Sequence, residues 1–95
     1  MRVFVHGGVS GVAKHPLPSL AHSVRAGAGA RALDAVEAAV RALEEDPQLN
    51  AGVGSVANLA GVLELDAGIA DGASGRCGGV AAVAVRHPVT LARRV

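Results

Sequence analysis

An α/β layered fold with antiparallel strand pairing is what this 95-residue sequence predicts, and three observations lead there. Leu33, Val36, Val40 and Leu43 recur at spacings of three and four, the period of one face of a helix. Leu63, Leu65 and Ala67 alternate with Glu64 and Asp66, the period of a strand. Gly78 to Val85 is almost purely Gly, Val and Ala, which fits a strand covered on both faces and open to close approach by another layer. The predicted order is β, α, β, β, β, α within a single domain, residues 1–95.

Taken in order, Arg2 to His6 is rich in β-branched and aromatic side chains and stops at Gly7-Gly8, so it reads as a short buried strand. The stretch from Gly7 to Pro18 carries three glycines and two prolines and is a loop. Ser19 to Arg25 places Leu20 and Val24 on one side and forms one or two helical turns before Gly27 and Gly29 end it. The main helix runs from Ala30, with Asp34, Glu37, Arg41 and Glu44 largely opposite the apolar face. Glu37 and Arg41 stand four apart in the favourable order, worth about 0.2–0.5 kcal/mol. Pro47 stops the helix at Asp46.

Ser55 to Leu59 and Val62 to Ala67 flank Ala60-Gly61 and read as a hairpin, followed by a polar, glycine-rich connection from Gly68 to Gly75. After the Gly78 to Val85 strand, His87-Pro88 starts a last helix, with Pro88 near its first position. That helix is cut at Val95 without a C-terminal cap, an interruption that reads as a truncated chain.

Composition narrows the function classes. Phe4 is the only aromatic residue although 51 % of the chain is hydrophobic, so Ala, Val and Leu must fill a thin core. A chain this short buries about 60–65 % of its unfolded surface, and an Ala-rich core would be marginal alone. Nine basic and eight acidic residues are interspersed for a net charge of +1, which gives no electrostatic case for nucleic acid or an anionic membrane. The single cysteine, Cys77, excludes an internal disulfide and fits a reducing compartment. Val3 to Val5 is too short for a signal-peptide core, and no run approaches the roughly 20 apolar residues of a membrane span. The expectation is a cytoplasmic protein.

Most motifs fall short of the chemistry they resemble. Gly27-Ala28-Gly29 lacks the preceding strand that a dinucleotide fingerprint requires, and there is no phosphate-cradling P-loop. In Gly8-Val9-Ser10-Gly11 the second glycine of a nucleophile elbow arrives one position early. His6, His15, His22 and His87 show no metal-ligand spacing, and Cys77 has no partner cysteine. Three features stay open. His6-Gly7-Gly8 presents backbone N–H groups to an oxyanion, or simply turns the chain. Glu64 and Asp66 are an acid/base pair, or carboxylates bonded to neighbouring backbone. Asn50, between Leu49 and Ala51 at a glycine-flanked bend, is a partnered site residue or a turn-former.

A set of segments in a fixed order gives a more specific reading: His6-Gly7-Gly8, Ala32 to Val40, Leu43-Glu44-Glu45-Asp46-Pro47, Asn50-Ala51-Gly52-Val53-Gly54-Ser55, Glu64-Leu65-Asp66-Ala67, Asp71-Gly72, and Pro88 with Leu91-Ala92-Arg93. Together they resemble the N-terminal part of the plant-type L-asparaginase/isoaspartyl peptidase family of N-terminal-nucleophile hydrolases. That resemblance implies an αββα sandwich, of which this chain would be the N-terminal, α-subunit part. It also implies a precursor that cuts itself so that a threonine becomes the new N-terminus of a second subunit.

The threonine hydroxyl would attack the side-chain amide of L-asparagine or the isopeptide carbonyl of a β-aspartyl peptide. Its own α-amino group, with a pKa near the ordinary 7.7–8.0 of roughly all such groups, would act as general base. By the same resemblance, the main-chain carbonyls of Leu43, Glu44, Asp46, Leu49, Ala51 and Val53 would wrap a structural sodium ion. No organic cofactor is implied. Asn50 would orient the nucleophile, and Gly7 and Gly8 would belong to a glycine loop near the active site. The partners would be a C-terminal β-subunit half and a second αβ unit in a homodimer.

The chain departs from the family pattern in three ways. Its only threonine is Thr90, inside the last helical pattern; the segment between Gly8 and Ala32 is short; and Val9-Ser10 replaces a commoner glycine arrangement. These 95 residues alone are therefore expected to be inactive. The alternative from another class is a non-catalytic remnant or binding module that docks on a second chain.

Overall fold

The computed structural model describes residues 2–8, 17–29 and 31–95. Helix α1 (Leu17–Gly27) carries Pro18 in its first turn, where a missing N–H costs nothing. Helix α2 (Ala32–Glu44) has Asp34 in its first turn and Arg41 in its last, each complementing the nearer end of the helix dipole. A 3₁₀ turn follows at Gly52–Gly54. Strands β1 (Leu65–Asp71) and β2 (Arg76–Val83) form a two-stranded antiparallel sheet. Helix α3 (Pro88–Arg94) closes the described chain.

The helices α1 and α2 meet through small residues. Ser23 is 0 % exposed, and its hydroxyl donates to the Ala39 carbonyl at 2.7 Å, while Ala35 and Ala39 are buried beside it. Short side chains on both helices let their backbones approach and place a hydroxyl on a carbonyl across the contact. At the other end, Ile69, Val89 and Ala92 are buried with Leu33, Val40, Ala67 and Val80 packed around them, so the core lies where α3 crosses the sheet beside α2. A Cβ built on Gly78 would stand 2.1 Å from the Ala92 carbonyl oxygen. Only glycine on β2 lets the α3 backbone lie that close to the sheet.

The β1–β2 register runs from Leu65↔Val83 to Asp71↔Arg76, with a shift between Leu65 and Ala67. Ala81 and Ala82 face Asp66 there, which makes a β-bulge on β2. Ala82 takes φ of 53°, unusual for a residue with a side chain, and its N–H donates to Asp66 Oδ1 at 2.8 Å. Of the two roles open to Asp66, bonding to neighbouring backbone is the one observed.

Helix α3 is fastened to α2 by polar contacts. The Thr90 hydroxyl donates to Glu37 Oε1 at 2.7 Å and accepts from Arg41 Nη1 at 2.8 Å. Arg93 bonds both Glu37 and Asp34. The Thr90 hydroxyl and then Arg93 hold the Glu37 carboxyl below its ordinary value of 4.5. A carboxyl lowered on folding stabilises above its unfolded value, and that stability is lost as pH falls through the folded one. We therefore expect Glu37→Gln to cost about 1 kcal/mol at pH 7. The gap to wild type should close as pH drops below 4.5, measured by urea unfolding across that range.

Five sequence expectations are corrected. Arg2 to His6 is not a strand: β1 and β2 pair only with each other among the described residues, so residues 2–8 have no ladder to join, and Phe4 is 86 % exposed. The hairpin lies one element later than expected. Asn58 closes the Ala60-Gly61 turn, its Oδ1 accepting from Ala60 N and Val62 N, but the flanking residues 55–59 form no strand. The supposed connection from Gly68 to Gly75 is strand as far as Asp71 and then a turn, in which Asp71 accepts from Ala73 N and the Ser74 hydroxyl. Strand β2 is covered on the α3 side only: Gly79, Ala81 and Ala82 are exposed. Where one or two turns were expected from Ser19 to Arg25, α1 is 11 residues long. Residues 9–16, which include most of the elbow-like segment and His15, lie outside the described residues.

Candidate functional site

The end of α2, the loop 45–55 and the start of β1 enclose a cleft of about 410 Å³ whose lining includes Asn50, Gly52, Ser55, Glu64, Asp66 and Val89. Pro47 forces the chain out of α2, and the next residues curl back on themselves. Asp46 N donates to the Leu43 carbonyl, Leu49 N to Asp46, Gly54 N to Ala51 and Ser55 N to Gly52. Asp46 Oδ1 accepts from Gln48 N at 2.9 Å. The Ser19 hydroxyl, then this N–H, lower the Asp46 carboxyl below its ordinary range, which ties the loop to α1.

The curl turns carbonyl oxygens inward. A Cβ on Gly54 would lie 2.0 Å from the Leu49 oxygen, 2.8 Å from that of Pro47 and 2.9 Å from that of Asp46. At Gly52, whose φ is +52°, it would lie 2.2 Å from the Glu44 oxygen. Two glycines are thus needed because main-chain oxygens fill the space a side chain would take. The Asp46 carbonyl closes one turn and keeps a further lone pair. Such a donor set, neutral oxygens held by the backbone, suits a hard cation of low charge. Among the described residues no three His, Cys, Asp or Glu side chains gather to hold a metal, so carbonyls are the available ligands.

Of the residues expected to bind the ion, Asp46 and Leu49 converge at Gly54, and Glu44 faces Gly52. The Leu43 and Ala51 carbonyls close turns in the same loop, and Val53 sits exposed within the 3₁₀ turn. Pro47, which was not expected, contributes an oxygen. Asn50 is exposed and lines the cleft, with Oδ1 accepting from Val56 N at 3.1 Å across the bend. A Gly7 Cβ would meet Leu20 at 3.1 Å and Leu49 at 3.5 Å, so Gly7 abuts the loop. Gly8, at φ of +89°, points into open space, and its N–H is taken by His6 Nδ1. Glu64 bonds Asn58 Nδ2 at the rim.

The Glu44 side chain, which its place on the polar face of α2 does not mark, also belongs to this region. It is 3 % exposed; Oε1 accepts from Val89 N at 3.0 Å and Oε2 pairs with His87 Nδ1 at 2.9 Å. His87 Nε2 meets Glu45 Oε1 at 3.0 Å. The Glu44-Glu45 doublet and His87-Pro88 were visible signals, but their pairing is 43 residues long-range.

A family model described as asparaginase matches residues 10–95. The chain is 44 % identical to the human isoaspartyl peptidase/L-asparaginase and 43 % identical to the plant-type L-asparaginase of Thermococcus kodakarensis. Each match covers 98 % of this chain and 34 % of the relative. The mouse isoaspartyl peptidase/L-asparaginase is 54 % identical over 69 residues, 72 % of this chain and 21 % of its own length. The chain therefore spans about a third of the curated human and archaeal relatives. With the family model covering nearly all of it and the order of motifs preserved, the chain belongs to the plant-type L-asparaginase/isoaspartyl peptidase family of N-terminal-nucleophile hydrolases.

Proposed function

We propose that this chain serves as the N-terminal portion of an enzyme hydrolysing L-asparagine and β-aspartyl peptides, supplying scaffold and cation loop while a threonine outside these 95 residues supplies the attack. The carrying observation is the inward set of carbonyls from Glu44 to Leu49, packed against Gly52 and Gly54 with Asn50 on the adjoining cleft wall. A bound sodium ion would coordinate the convergent carbonyl oxygens, offset the repulsion between their dipoles and stiffen the bend that carries Asn50. The residues that would hold it are Leu43, Glu44, Asp46, Leu49, Ala51 and Val53, with Pro47 beside them.

In this reading Asn50 positions the nucleophile, and Gly7 with Gly8 forms the glycine loop next to it. The attacking hydroxyl adds to the amide carbonyl, the freed α-amino group takes its proton, ammonia or an amine leaves, and water hydrolyses the acyl-enzyme. Thr90 is unsuited to that role, because its hydroxyl is held between Glu37 and Arg41 within α3. The exposed face of the sheet, with Gly68, Ala70, Gly79 and Ala81, is smooth enough for the second sheet of an αββα sandwich.

The 95-residue polypeptide alone is expected to release no ammonia from L-asparagine above a heat-killed control. Joined to the remaining two-thirds of the Thermococcus relative, it should recover hydrolysis, and Asn50→Ala in that chimera should cost about 10²-fold in kcat. Activity of the short chain, or an Asn50→Ala chimera as fast as its parent, would overturn the assignment. A folded chimera that never hydrolyses would favour a non-catalytic module.

A further inference from the structure

Glu44 does two things with two parts of one residue. Its carbonyl oxygen belongs to the loop, against Gly52. Its buried carboxylate grips the start of α3, accepting the Val89 N–H and pairing with His87. Helix α3 has no N-cap of its own, since His87 makes no capping bond, and it is only seven residues long. Such a short helix depends on contacts from outside for its first-turn N–H groups. The carboxylate from α2 is the contact present.

We propose that Glu44 is a positioning residue for the cation loop, and that cation binding and the docking of α3 are one coupled event. Gripped by α3, the Glu44 side chain cannot swing, which fixes where its own carbonyl points. Conversely, a cation that draws this carbonyl inward holds the carboxylate under the α3 N-terminus. Groups that orient a metal's ligands typically matter about 10–100-fold for its affinity. The Glu44 side chain would act in that way while binding no metal itself.

This inference rests on the cation reading above, and the test separates the two. Amide hydrogen exchange of the 95-residue chain is compared in sodium chloride and in choline chloride at equal ionic strength. Sodium should slow exchange in residues 46–54 and also at Val89 and Thr90, which are remote in sequence. In Glu44→Ala, loop protection should need about 10-fold more sodium, and the response at Val89 should vanish. Glu44→Gln keeps an acceptor for the Val89 N–H and should retain most of the coupling, which distinguishes positioning from loss of the fold.

Sodium protection of the loop with no change in α3 would sink the coupling and leave the cation reading intact. No sodium effect anywhere would overturn both. Equal sodium affinity in Glu44→Ala and wild type would refute the positioning role.

Discussion

Gly54→Ala is expected to cost about 3 kcal/mol or more, the upper end of what overpacking a filled site does. The added methyl would sit 2.0 Å from the Leu49 oxygen, and the next nearest atoms, on Pro47 and Asp46, are also main-chain carbonyls. A flexible side chain could turn aside; a carbonyl moves only if the loop opens. Gly52→Ala adds a positive φ to a contact at 2.2 Å and should be comparably damaging. With total stabilities of about 5–15 kcal/mol for ordinary domains, and this core thin, either change should remove a large fraction of the stability and lower the unfolding midpoint. Urea midpoints by circular dichroism measure it. Gly72→Ala, in open space at an ordinary φ, is the control and should change little. Wild-type midpoints in the two loop variants would show that the carbonyls are not packed as described.

Ser23→Leu should be the next most severe, costing about 3 kcal/mol by forcing α1 off α2. Ser23 is fully buried, and its Oγ stands 2.7 Å from the Ala39 carbonyl, so three extra carbons have nowhere to go. Ser23→Ala loses the hydroxyl's bond and leaves its volume nearly unchanged, so about 1 kcal/mol is expected. The ordering of the pair is the decisive reading in denaturant unfolding. Were Ser23→Leu no worse than Ser23→Ala, α1 would not pack there through small residues.

Both sites show how much was legible beforehand. The heptad-like spacing of Leu33, Val36, Val40 and Leu43 fixed α2 because a long amphipathic period depends on the helix alone. Pro88 marked the start of α3 for a similarly local reason. Strands are less readable: Val62 to Ala67 alternates well and suggests an earlier start for β1, yet only Leu65 onward finds a partner. Arg2 to His6 has strand composition but no neighbouring strand among the described residues, and β-propensity needs one to act on. At the site, Asn50, Gly52 and Gly54 stand out as a glycine-flanked bend, and Glu44 only through its main-chain carbonyl. Its side chain does not, since a carboxylate at the end of an amphipathic helix looks solvated until α3 is laid over it.

The order of short motifs along the chain was sufficient to assign its family, because each is a local string of residue types that survives without knowledge of the fold. Periodicity likewise settled the main helix. Which carbonyls face each other, which serine lies under a helix and which acid caps α3 were decided only in three dimensions. The serine and acid contacts join residues 16 and 45 positions apart, the loop carbonyls meet Gly52 and Gly54 within a single bend, and in each case the quantity that selects the contact, space left between packed backbones, is not written in the residue types.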